Sequence, residues 1–329
     1  MLDRAFVRLA GVMLAIACLC APAQAEGLRQ CGGVDYNAMI LNIIGKLPTG
    51  GGYSVNSEIV QMPTISGHNI GAGNWEMRVY DGHPSYCTSA TYALFARLVA
   101  NLHNAGKIKL TPRQVDALRV KRTMPDGTAR LDGEGLYGIF NSNGAGAAAL
   151  VHHTGIGFSF RDDKLTYARA GDFLKMFWNN GVGSNEQGHQ VVYLGQRKVA
   201  GRDMVCFWGS QRQNRKRRGG RTEKLYFAVP GRKFENGYGY ACRPRSDIKA
   251  MIFSRITCME HLADGLEAMG QAADPRTGMA ALFVDEFLRD IRTTPSNHAA
   301  LDSKYRILQA APPAPVRATF ANSSMAPLR

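Results

Sequence analysis

Five cysteines lie beyond an apolar N-terminal leader, and that odd count constrains the fold of this chain more than any other feature. Arg4 and Arg8 precede an apolar run from Leu9 to Cys20, short for a bilayer span, and Ala23-Gln24-Ala25 supplies the small-x-small pattern that precedes cleavage. Residues 1–25 therefore read as a secretory signal, with Glu26 opening the exported chain. Cys18 and Cys20 leave with that signal, and Ala15 stands where a lipoprotein acylation box wants leucine. In an oxidising compartment four of Cys31, Cys87, Cys206, Cys242 and Cys258 can pair, leaving one thiol. Cys87 is the natural odd residue, because it alone sits in a motif with chemical potential. Four cysteines allow three connectivities. The favoured arrangement joins Cys242 to Cys258 across a short strand-to-helix loop and Cys31 to Cys206 across the domain.

The order of elements predicts an α+β fold, with helices packed to one side of a small antiparallel sheet. Residues 26 to about 80 are irregular and glycine-rich, with a short helix over Tyr36–Gly45 and a turn at Gly50-Gly51-Gly52. After Asp81-Gly82-His83-Pro84, the residues Ala90, Leu94, Phe95, Leu98, Val99 and Leu102 recur at helical spacing. Thr111-Pro112 is an N-cap followed by proline at the first helical position, starting a helix that runs to about Arg122. Short helical pieces and loops fill 132–160. β-branched and aromatic content then predicts strands at His189–Leu194, Asp203–Trp208, Lys224–Val229 and Ile248–Ile256. Helices follow at Cys258–Met269 and Pro275–Ile291. The domain reading is a signal at 1–25, a catalytic domain at 26–245, a helical extension at 246–309, and an Ala/Pro/Ser-rich tail at 310–329 with little to bury.

A thiol that cuts an amide needs an ionisable sulfur, a base in hydrogen-bond reach, and a polar group that orients the base. Cys87 opens a helix, where the helix dipole and unpaired backbone amides favour negative charge. His189 opens a strand in Gly188-His189-Gln190-Val191-Val192-Tyr193-Leu194-Gly195 and supplies the base. The next strand ends in Ser210-Gln211. Gln211 is the preferred orienting residue, because its amide oxygen can accept the imidazole N–H while staying neutral. Ser210 is the alternative, and Ser85 and Tyr86 are candidates for oxyanion or substrate contacts. A cysteine in the first turn of an apolar helix is also a common core residue, and a histidine beginning a strand is often a surface or structural one.

Cys87 with its helix, then Ala170-Gly171-Asp172-Phe173, then Gly188 to Gly195, resembles the NlpC-type and CHAP-type papain-like cell-wall cysteine peptidases and amidases. The likeness covers roughly residues 80–215 and lies in motif order. It departs where the usual Asp-Cys-Ser-Gly block becomes Tyr86-Cys87-Thr88-Ser89, and the interval from Cys87 to His189 exceeds what a minimal version of that fold requires. The resemblance implies a papain-like core and hydrolysis of a peptide or amide bond in peptidoglycan, by a periplasmic or extracellular protein. Asp172 reads more simply as a turn residue.

The formal charge of +14 favours an anionic partner such as cell-wall polymer or phospholipid headgroups. Arg212, Arg215, Lys216, Arg217, Arg218, Arg221 and Lys224 concentrate that charge, and the block reads as a solvated hairpin loop rather than a nucleic-acid surface. No cofactor is expected. No HExxH or paired CxxC spacing offers a metal site, and Gly144-Ala145-Gly146 lacks the context of a phosphate loop. No integral membrane segment is expected once the signal is removed. A secreted basic protein without catalysis and a papain-like acyltransferase remain the alternatives, and Gln190 and Tyr193 do not separate them.

Overall fold

The computed structural model describes residues 31, 33–56, 59–120, 135–183, 186–216, 220, 222–271 and 298–309. The expected signal, the helix over Pro275–Ile291 and the tail from 310 lie outside the described residues. The described helices are α1 (Tyr36–Lys46), α2 (Cys87–Asn104), α3 (Pro112–Ala117), α4 (Gly135–Phe140), α5 (Ala147–Thr154), α6 (His261–Gln271) and α7 (His298–Lys304). The strands are β1 (Gly50–Gly51), β2 (Thr64–Gly71), β3 (Asn74–Tyr80), β4 (Gly157–Arg161), β5 (Phe173–Phe177), β6 (Gly188–Val199), β7 (Arg202–Gln211), β8 (Asn214–Lys216), β9 (Thr222–Lys224), β10 (Phe227–Ala228), β11 (Gly237–Pro244) and β12 (Ala250–Ile256). None of the described helices is long and apolar enough to cross a membrane.

The fold is α+β, and its sheet is larger than the sequence suggests. Eight antiparallel strands run in the order β1-β11-β7-β6-β5-β12-β4, with β10 also on β11. Side chains alternate across a strand, so each strand serves two cores. Phe173, Phe177, Val192, Trp208, Tyr238 and Ile252 pack with the helices, α2 foremost. Leu174, Met176, Val191, Tyr193, Phe207, Met251 and Phe253 form a second core on the other face, with Tyr226 and Ile248 laid over it. Every residue of β5 and β12 is buried, as expected of strands covered on both faces. β12 lies between β5 and β4, so the sheet continues past residue 245, where the sequence reading starts a helical extension.

Local chemistry explains most of the elements. Thr111 caps α3: its hydroxyl accepts from Gln114 N–H, and the Gln114 side chain accepts from Thr111 N–H. The helix stops at Ala117, five residues short of the expected end. Of the basic block, β8 and β9 pair antiparallel, and residues 217–219 and 221 lie outside the described residues. The expected strand over Lys224–Val229 is broken into the end of β9 and the two-residue β10. The β2–β3 hairpin and β11 went unpredicted because glycines interrupt their apolar pattern. One of those glycines is obligatory: Gly237 has φ +103°, and a Cβ there would lie 2.1 Å from the Gly50 carbonyl oxygen of β1.

The disulfides correct the favoured connectivity. Cys206 pairs with Cys242, and Cys31 with Cys258. Cys206 and Cys242 are register partners on β7 and β11, with Cα atoms 4.0 Å apart. With β11 unrecognised, that adjacency was invisible. Cys31 N–H donates to the Thr257 carbonyl, which sets it beside Cys258. Among the described residues Cys87 is the free cysteine, and two disulfides fit an oxidising, exported environment.

Candidate functional site

Cys87 is the first residue of α2, which is buried over most of its length. The helix start is fixed by Ser89, whose hydroxyl accepts from Tyr86 N–H and donates to Tyr86 C=O, both at 2.9 Å. Further support comes from Arg97, which pairs with Asp81 at 2.7 Å and ties the helix to the turn before it. The Cys87 thiol is half-buried, with Thr88 Oγ1 at 3.7 Å. Ahead of it, Ser85 is fully buried and its hydroxyl donates to Ser210 Oγ at 2.8 Å. Ser210 Oγ donates in turn to Ser85 C=O. This pair pins the segment before the nucleophile candidate to the end of β7. Tyr86 and Tyr137 meet hydroxyl to hydroxyl.

His189 and Gln211 are brought together. β6 and β7 are antiparallel with Val192 opposite Trp208, and the same register carries His189 to Gln211 at their ends. The imidazole is buried, stacked on Tyr226 with centroids 5.3 Å apart and edge-on to Phe207 at 5.8 Å. Burial pushes its pKa down to about 3. Gln211 beside the ring favours the protonated form, and Lys175 and Arg243 oppose it. Gln211 Nε2 donates to Gly239 C=O at 3.0 Å, while Gln211 Oε1 and His189 Nε2 are both buried without a partner of good geometry.

Cys87 and His189 share one end of the sheet but not one face of it. Tyr226 and Phe207, which hold His189, belong to the core on the face away from α2. The next residue, Gln190, faces the helices, with its carbonyl oxygen 3.4 Å from Ala147 N at the start of α5. Gln190 lies opposite Lys175 in register, and the Lys175 ammonium meets Glu186 at 2.7 Å. No hydrogen bond joins the Cys87 sulfur to the His189 imidazole.

Three residues not proposed as site members complete this end of the sheet. Tyr53 forms an isolated parallel bridge with Ser85. Burial drives its phenol pKa far upward, and the Cys87 thiol and Tyr226 add to that shift, so Tyr53 lies within electrostatic reach of both. The guanidinium of Arg212 lies 6.0 Å from the Tyr53 ring. The Gly-rich surroundings of Tyr53 carry no helical or strand period, so its position was not readable. Arg212 was absorbed into the basic block, and Tyr226 into a strand.

Asp172 does more than shape a turn. Its carboxylate, fully buried, accepts from Arg255 Nε at 2.8 Å and Arg255 NH2 at 2.7 Å, from Asn37 Nδ2 at 2.8 Å and from Arg169 N–H at 2.8 Å. It links α1, β5 and β12, a structural role far from the thiol's contacts. Among the described residues, the candidate metal-ligand group is Cys31, Cys258 and His261, and the disulfide engages both sulfurs.

No family model, curated protein or solved structure matches the chain, so nothing in these comparisons points to the NlpC-type or CHAP-type families.

Proposed function

We propose that this chain is an exported thiol hydrolase that cleaves a peptide or amide bond, with Cys87 as nucleophile, His189 as base and Gln211 positioning His189. The observation that carries the reading is Cys87 itself: among the described residues the one cysteine left out of the disulfides opens a buried helix at the sheet end that also holds the His189–Gln211 pair. In the reaction the Cys87 proton passes to His189 as sulfur attacks the carbonyl carbon. The helix-start amides offer donors to the oxyanion, and the protonated imidazole returns its proton to the leaving amine. Water then hydrolyses the thioester by the same route in reverse. With its pKa near 3 the imidazole is neutral at working pH, the form that accepts a proton. It is a weak base where it lies, on the face of the sheet away from α2, so the reading entails that substrate binding brings the imidazole out of its slot between Tyr226 and Phe207 and within hydrogen-bond reach of Sγ.

Peptidoglycan is the proposed substrate, for a protein working in the periplasm or outside the cell. The high positive charge supports an anionic substrate and the two disulfides support export. A second reading, a basic protein that binds anionic polymer without cutting it, is favoured by the burial of His189 on the face away from α2. A peptide vinyl sulfone separates the two. The hydrolase gains one adduct at Cys87 by intact mass, lost in Cys87→Ser and slowed at least tenfold in His189→Gln. Labelling at the same rate in His189→Gln and wild type leaves only the binding reading.

A further inference from the structure

A cavity of about 360 Å³ opens where β7 ends, lined by Gly52, Tyr53, Arg212, Gln213, Asn214 and Asn236. Its walls, among the described residues, are backbone, neutral amides and the Tyr53 ring, with one cation among them. Among the described residues no carboxylate forms an ion pair with Arg212, whose neighbour is the Tyr53 ring. Glu235, next in sequence to the lining residue Asn236, is engaged by Lys233 at 3.0 Å and by the Thr49 hydroxyl. The loop is held in shape: Asn236 C=O accepts from Gly52 N–H, and Asn236 Oδ1 accepts from Gln213 N–H. With its oxygen turned to the Gln213 N–H, the Asn236 side chain has two N–H donors free to offer the cavity. One wall of the cavity is tied to the segment before the thiol, because Tyr53 bridges Ser85, two residues ahead of Cys87.

We infer that this cavity is a subsite for a carboxylate on the substrate, with Arg212 as its anchor and the surrounding amides as neutral donors. A guanidinium presents two parallel N–H groups that match one carboxylate, and a single cation among neutral amides suits a single negative charge better than a phosphate. This deepens the thiol-hydrolase reading and rests on it: the substrate is a peptide carrying a free carboxylate within a few residues of the bond cut. The assignment also separates Arg212 from Arg215 and Lys216 on β8 and Lys224 on β9.

The test uses the full exported chain with Cys87→Ala, so that ligand is bound and not turned over. Acetyl-Ala-Ala-Ala with a free C-terminus, its C-terminal amide and inorganic phosphate are titrated up to millimolar concentrations, read by NMR shifts. The free acid is expected to bind at least about tenfold tighter than the amide, the size of a charge-assisted hydrogen bond, and Arg212→Gln is expected to abolish that difference. Arg212→Lys is expected to keep part of it, since charge survives without the fork. Equal binding of acid and amide, no binding of either, or tighter Arg212-dependent binding of phosphate would overturn the subsite. The vinyl sulfone labelling of Cys87 is read separately. Selective binding without His189-dependent labelling sinks the hydrolase and leaves a carboxylate-binding protein, whereas labelling without selective binding sinks only the subsite.

Discussion

His189 gives the sharpest physical prediction, because its burial ties stability to pH. An imidazole in an unfolded chain takes a proton near pH 6.5, about its ordinary value. In the fold, burial between Tyr226 and Phe207 holds that pKa down at about 3. Below pH 6.5 the unfolded state binds a proton that the folded state refuses, so stability present above that pH drains away as pH falls toward 3. The slope is about 1.4 kcal/mol per pH unit, and the full window is worth on the order of 5 kcal/mol. His189→Phe fills the same aromatic slot without a titrating group. Urea unfolding of wild type and variant at pH 7, 6, 5 and 4, disulfides intact, should show the difference between the two curves shifting in the variant's favour by about 1.4 kcal/mol per unit below pH 6.5. Other groups, including His153, whose burial lowers it to about 4, are common to both proteins and cancel in the difference. Parallel curves would mean that water reaches the ring and that His189 is not desolvated.

Three further outcomes follow from contacts described above. Asp172→Asn leaves the buried Arg255 guanidinium without its counter-charge and should cost about 3–5 kcal/mol in urea unfolding, with much of the loss recovered when Arg255→Met is added; a loss under about 1 kcal/mol contradicts the pairing. Thiol titration of denatured, non-reduced protein should count one group, and peptide mapping should join Cys31 to Cys258 and Cys206 to Cys242; three thiols or another connectivity refutes the assignment. Gln211→Ala should reduce turnover at least tenfold by lowering kcat, with the loss partly restored in Gln211→Asn. Ser210→Ala should instead lower stability by about 1 kcal/mol through the lost Ser85 bond, and the reverse pattern means that the positioning residue is Ser210.

The legible parts of this chain are those where one local rule suffices. α2 shows its period in Ala90, Leu94, Leu98 and Leu102, and Thr111-Pro112 marks the start of α3 by its capping chemistry. Cys87 at a helix start, the strands around His189 and Cys206, and Gln211 beside His189 are all where the sequence puts them. What escaped depends on contacts distant along the chain. β11 alternates glycine with aromatic residues and is made a strand by its pairing with β7, so the Cys206–Cys242 bond could not be read before that pairing was known. The face on which His189 lies is set by strand register, a matter of one residue, and no motif records it. Asp172 looks like a turn residue because its partner Arg255 lies 83 positions away.

The central claim is that Cys87 cuts an amide bond with the help of His189. Incubation of the exported chain with purified cell-wall sacculi, followed by mass spectrometry of the released fragments, tests it most directly. The account predicts soluble fragments ending at a hydrolysed peptide or amide bond, absent with Cys87→Ser and reduced at least a hundredfold with His189→Gln. Fragments released equally by wild type and Cys87→Ser, or intact sacculi that retain the protein in a salt-sensitive way, would contradict it.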